Sequence, residues 1–146
     1  PPCQLPGARM QSDDLDFSFS GLKTAVRRAI EIHGPLSEDE RRGVSREFED
    51  SVTDVFVAKV RRALEDVGAR SFIVGGGVAA NDYIKQRLSD LIEREFPNTE
   101  MLVCPKERAT DNALMIALTG YLHATRKEFA KPEDLIANGN LSLAEL

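Results

Sequence analysis

Apolar residues recur along this chain with two different periods, and the switches between them mark out the elements. Phe17-Ser18-Phe19-Ser20 alternates apolar and polar positions, the two-residue period of a strand. After Gly21, Leu22, Ala25, Val26, Ala29 and Ile30 fall at helical spacing until Gly34-Pro35 stops the run. Ser37-Glu38-Asp39-Glu40 has the Ser-to-Glu spacing of a capping box. It opens a long helix with Val44, Phe48, Val52, Val55, Phe56, Val60, Ala63, Leu64 and Val67 on one face. The opposite face carries Arg41, Arg42, Arg46, Glu47, Lys59, Arg61 and Arg62, and Gly68 is a natural stop. A short strand over Ser71 to Val74 runs into three glycines. The helix expected next turns Ile84, Leu88, Leu91, Ile92 and Phe96 inward and ends before Pro97. Met101 to Cys104 reads as a second short strand closed by Pro105, and Thr110-Asp111-Asn112 opens a last helix through Leu114, Ala117, Leu118, Tyr121 and Leu122. The Pro-rich, then acidic residues 1–16 read as loop. So does the tail from Lys131, with Pro132 and Asn138-Gly139-Asn140.

Strands alternating with helices predict an α/β fold, a mostly parallel sheet covered by helices. Ligands of such sheets sit beyond the carboxyl ends of the strands. The Gly75–Gly77 turn and the Arg108–Asn112 turn follow consecutive strands, so the pattern predicts that they line one cleft.

Length and charge narrow the picture. The 146 residues suit one domain, or one lobe of a larger protein, and the start at Pro1-Pro2-Cys3 is that of a fragment or a processed chain. A net charge of −5 argues against gripping nucleic acid by bulk charge but leaves room for a local basic patch. The pairs Arg27-Arg28, Arg41-Arg42 and Arg61-Arg62 are ordinary on helix surfaces, and would steer RNA only if two of them shared a face. No apolar run reaches membrane-span length and no signal-peptide pattern opens the chain. Cys3 and Cys104 stand in no metal-ligand spacing, which fits a reducing, cytoplasmic compartment, and Cys104 reads as a buried small hydrophobe.

Few residues stand out as chemistry. Gly75, Gly76 and Gly77 between a strand and a helix are suited to laying bare backbone against a phosphate or ribose, with Asn81 at the mouth of the turn. The same residues also fit a tight turn made for close helix–sheet packing. Gly75, Gly77 and Ala80 formally satisfy a dinucleotide fingerprint, but the acid expected at the end of the next strand is replaced by Val103-Cys104-Pro105. Asp111 reads as a helix N-cap, a role Thr110 beside it would also fill, or as a ligand-facing carboxylate. Lys23 suits a solvated helix face or a phosphate contact. His33 and His123 read as isolated surface or helix-end residues. No nucleophile–base constellation is visible, and no general base is nominated.

Three segments together resemble the TsaD family, the tRNA N6-adenosine threonylcarbamoyltransferases. They are Asp16-Phe17-Ser18-Phe19-Ser20-Gly21-Leu22-Lys23-Thr24-Ala25, Val74-Gly75-Gly76-Gly77-Val78-Ala79-Ala80-Asn81 and Thr110-Asp111-Asn112-Ala113-Leu114-Met115-Ile116-Ala117. The resemblance implies that residues 1–146 form the C-terminal lobe of an actin-like ATPase, ribonuclease-H-like fold whose two lobes close on a cleft. It implies that Gly75, Gly76, Gly77 and Asn81 bind threonylcarbamoyl-adenylate and that Asp111 is a ligand of one divalent metal ion, iron or zinc. The implied partners are the missing N-terminal lobe, tRNA, a TsaB-like paralogue and an ATPase. Ala109 stands where bacterial members usually have Cys, and the family's HxxxH metal motif has no counterpart in this sequence. The chain alone is therefore expected to bind metal poorly and to be inactive. The competing readings are a lobe of another actin-like ATPase or small-molecule kinase, and a non-catalytic assembly lobe.

Overall fold

Ser37 nucleates the longest element. Its hydroxyl accepts from the Glu40 amide, and the Glu40 carboxylate accepts from the Ser37 amide at 2.8 Å, so two orphan donors are satisfied reciprocally. These bonds hold the Glu40 carboxyl below the usual carboxylate range. The helix then runs thirty residues and closes on Gly68 in the left-handed region (φ 62°). In a computed structural model that describes residues 15–137, the order is α1 (Ser20–His33), α2 (Glu38–Val67), β1 (Ser71–Val74), α3 (Asp82–Glu95), β2 (Glu100–Val103) and α4 (Ala113–Thr125). Short 3-10 turns cover Gly77–Ala80, Lys106–Arg108 and Pro132–Asp134. The chain divides into two compact units, 1–109 and 110–146.

In the first unit, β1 and β2 pair in parallel, Ser71 opposite Glu100 through Val74 opposite Val103, with α3 as the crossover. Val60 and Leu64 of α2 meet Ile84, Leu88, Leu91 and Ile92 of α3 in the main core, and Phe72, Val74 and Met101 from one face of the sheet pack against it. Fully burying a side chain of this kind is worth roughly 1.5–3 kcal/mol, so this cluster dominates the unit. Leu22 of α1 meets Val55 of α2 in a second cluster. Polar bolts reinforce the α2–α3 contact. Arg61 donates two bonds of 2.7 Å to Glu95, and Arg87 bridges Asp54 (2.8 Å) and the Tyr83 hydroxyl (2.9 Å).

Several expectations change. Residues 17–20 form no strand: both phenylalanines close on the Phe56 ring, at 4.8 Å for Phe17 and 5.7 Å for Phe19, and the chain turns into α1 at Ser20. Ring-to-ring contact with Phe56 takes the place of strand pairing for these side chains. Lys59 does not lie on the solvated face of α2; it is 6 % exposed, with its amine 6.0 Å from the Phe17 ring centre. Val67 and Phe48, both expected on the apolar face of α2, are exposed, Val67 in the last turn before Gly68. Cys104 is half-buried rather than buried, just past the end of β2. Cys3 and the loops expected over 1–14 and 138–146 lie outside the described residues.

The second unit holds α4, whose sequence is apolar nearly all round and none of whose residues is buried. In its last turn, His123 pairs with Glu128, just past the helix end, at 2.7 Å. No helix among the described residues is long and apolar enough to cross a membrane.

Candidate functional site

The glycine turn begins where β1 ends. Gly76 adopts φ 80°, ψ 175°, a region that side-chain-bearing residues avoid. The chain then winds into the 3-10 turn, with the Ala79 amide on Gly76 O (3.1 Å) and the Asn81 amide on Val78 O (3.0 Å). Ala79 is buried and anchors it. A Cβ built on Gly75, Gly76 or Gly77 meets nothing within 4 Å. The three glycines are therefore not bare in order to pack closely against a helix. They leave open space beyond the strand's carboxyl end. The dinucleotide arrangement is not reproduced either, because the 3-10 turn separates the glycines from α3.

Asn81 is fixed at both ends of its side-chain amide. Its oxygen caps α3 by accepting from the Ile84 amide (3.0 Å), and its NH2 donates to Glu49 of α2 (2.9 Å). Among the described residues, one NH2 hydrogen and one oxygen lone pair remain unused. The sequence offered no hint of Glu49, which lies thirty-two residues upstream; only the tertiary α2–α3 contact brings it to Asn81.

Asn81 lines a cleft of about 790 Å³ walled by one face of α2, by Phe19 before α1 and by Val78 of the 3-10 turn. The α2 wall presents Arg41, Arg42, Ser45 and Arg46 near its start and Phe48 and Val52 further along. Arg46 pairs with Asp50 at 3.3 Å and lies over the Tyr83 ring, 4.3 Å from its centre. The Tyr83 hydroxyl donates to Asp50. Chiefly through that bond, and with Arg46 and Arg87 near, the Asp50 carboxyl is held below its ordinary range. Gly75 borders a second, mostly apolar cavity of about 470 Å³ lined also by Phe17, Lys59 and Leu88.

The structure thus brings Gly75, Gly76, Gly77 and Asn81 together within the first unit, whereas Asp111 belongs to the second. Asp111 is exposed and is not the cap of α4. Asn112 is: its oxygen accepts from the Met115 amide (3.1 Å) and its NH2 donates to Thr110 O (2.9 Å). The signal was present in the sequence, since Asn112 immediately precedes the first helical residue and Asn is among the strongest N-caps. The Asp111 carboxylate makes no hydrogen bond or ion pair among the described residues. No group of three or more His, Cys, Asp or Glu side chains gathers among them that could hold a metal ion. A single carboxylate does not complete a metal site. Lys23 is exposed on α1, and His33 ends that helix against Glu40 at 3.3 Å.

A sequence model of the family described as TsaD, tRNA N6-adenosine threonylcarbamoyltransferase, matches residues 2–118. Curated relatives carry the same description. One from Methylobacillus flagellatus is 39% identical over 135 residues, covering 88% of this chain and 37% of the relative. One from Geobacillus kaustophilus is 37% identical over 144 residues, covering 98% and 41%. One from Lactiplantibacillus plantarum is 33% identical over 144 residues, covering 96% and 40%. The chain spans about two fifths of the length of these relatives.

Proposed function

Because the chain belongs to the tRNA N6-adenosine threonylcarbamoyltransferase family, we propose that it is the adenylate-holding part of such an enzyme, the C-terminal lobe of an actin-like, ribonuclease-H-like fold. The complete protein transfers threonylcarbamoyl from threonylcarbamoyl-adenylate to N6 of the tRNA adenosine beside the anticodon. Gly75, Gly76 and Gly77 lay bare backbone against the adenylate, and Asn81 uses its spare donor and acceptor on it. The observation that carries this reading is the open, side-chain-free turn beyond β1, with Asn81 locked beside it by Ile84 and Glu49.

In the reaction, the adenosine N6 attacks the carbamoyl carbon of the mixed anhydride. The carbon–oxygen bond to the phosphate breaks, AMP leaves, and the N6 proton is lost. Backbone amides of the turn suit the charge that grows on the leaving phosphate. Asp111 would offer one carboxylate to a divalent metal, iron or zinc, whose remaining ligands would come from residues other than those described. A TsaB-like paralogue and an ATPase are the expected partners of the assembled, cytoplasmic enzyme. Asp111→Asn is expected to lower bound metal, read by elemental analysis of the purified complete protein.

The test of the reading is Asn81→Ser in the complete protein. Ser retains the N-cap acceptor and removes the amide donors. Threonylcarbamoyl transfer to tRNA should fall at least a hundredfold while the melting temperature stays within a few degrees. Wild-type rates in that variant would exclude Asn81 from the adenylate site.

A further inference from the structure

Several arginines of the chain separate in a way that the sequence alone did not show. Arg27 pairs with Glu31 on its own helix, and Arg61 and Arg87 are committed to α3 or its contacts with α2. Arg41, Arg42 and Arg46 instead share the face of α2 that walls the Asn81 cleft. Positions 41, 42, 45 and 46 stack over successive turns, as helical spacing requires. Arg41 is exposed and makes no ion pair among the described residues. Among the described residues, Arg42 has one ion pair, an exposed contact with Glu38 at 3.6 Å, and a pair of that kind holds little energy. Of the two carboxylates that line the cleft, Glu49 is engaged by the Asn81 amide, and Glu38 stands exposed beside Arg42. Phe48, 39 % exposed, lies on the same wall. Exposed guanidinium groups beside an exposed aromatic ring are the equipment with which proteins hold an unstacked RNA strand, phosphates on the arginines and a base on the ring.

We propose that the first three turns of α2 are an RNA-docking surface. Arg41 and Arg42 take the phosphates of the substrate's single-stranded loop, and Phe48 supports a base as the strand passes Asn81. This rests on the transferase reading for the identity of the RNA.

The test is tRNA binding by the complete protein, measured by fluorescence anisotropy from 50 to 300 mM KCl. It compares wild type, an Arg41→Gln/Arg42→Gln double variant, and Arg28→Gln on α1 as a control. Arg46 is left intact because it also braces Tyr83. Each lost phosphate contact should reduce the salt slope by about 0.7, so the double variant should lose about 1.4 and bind roughly tenfold more weakly near 100 mM. Its affinity for an adenylate analogue and its melting temperature should match wild type, and Arg28→Gln should bind tRNA normally. An unchanged slope and affinity in the double variant overturns the proposal. So does an equal loss in Arg28→Gln, which would reveal bulk charge rather than a surface. Failure of the transferase reading looks different: tRNA binding would still depend on Arg41 and Arg42 while wild-type protein transfers no threonylcarbamoyl group, and the docking surface would stand.

Discussion

Gly76 and Gly77 are adjacent, equally open, and predicted to respond differently to the same methyl group. Gly76 sits at φ 80°, ψ 175°. That backbone region is essentially reserved for glycine, and forcing another residue into it costs about 1–3 kcal/mol. Gly77 has no positive φ, and its added Cβ meets nothing within 4 Å. Gly77→Ala therefore costs the fold little, and restricting the unfolded chain gives back about 0.4–1 kcal/mol. The two alanine variants should differ by about 2 kcal/mol, with Gly76→Ala the less stable. Urea unfolding of the complete protein, followed by circular dichroism, reads the difference. With a slope of about 1–3 kcal/mol/M, the midpoints should separate by roughly 1 M. Equal midpoints, or a lower one for Gly77→Ala, would refute the claim that the turn is open at 77 and conformationally constrained at 76.

Three further outcomes follow from the packing. Leu88, 2 % exposed at the centre of the α2–α3–sheet core, should cost about 2–5 kcal/mol when cut to Ala, read by the same unfolding curve. Asn112→Ala removes the cap of α4 and should cost about 1 kcal/mol, visible as faster amide exchange in its first turn. The α2–α3 bolts should make stability acid-sensitive. The carboxyls of Asp50 and Glu95 are depressed, Asp50 chiefly by the Tyr83 hydroxyl and Glu95 chiefly by Arg61. A depressed carboxyl adds stability that is fully present above its unfolded value, about 4, and is lost as pH falls through the lower folded value. Tyr83→Phe should lower stability at neutral pH and flatten the decline below pH 4, and an unaltered acid limb would contradict the assignment.

What the sequence disclosed was local. The capping box at Ser37, the left-handed stop at Gly68, the apolar stripe of α3 and the strand over Ser71–Val74 were written in residues a few positions apart and formed as read, and the strand expected over Met101–Cys104 formed one residue earlier, at Glu100–Val103. What it concealed was tertiary. The alternation at Phe17 and Phe19 looked like a strand because nothing local announces that both rings will meet Phe56, some forty residues on. Lys59 fell on the polar side of the helical pattern, yet the Phe17 ring comes to lie near its amine. The glycine turn and Asn81 were legible as a candidate site, because three glycines after a strand are a costly pattern. The Glu49 contact that orients Asn81, and the sorting of the arginines between cleft and helix contacts, depend on how α2 lies against α3.

The central claim is that the bend after Val74 is kept free of side chains so that an adenylate can rest on it. Titrating a non-hydrolysable threonylcarbamoyl-adenylate analogue into the complete protein by calorimetry, wild type against Gly77→Ala, tests this most directly. The account predicts at least tenfold weaker binding by the alanine variant with an undiminished melting temperature. Equal affinity in a fully folded variant would contradict it.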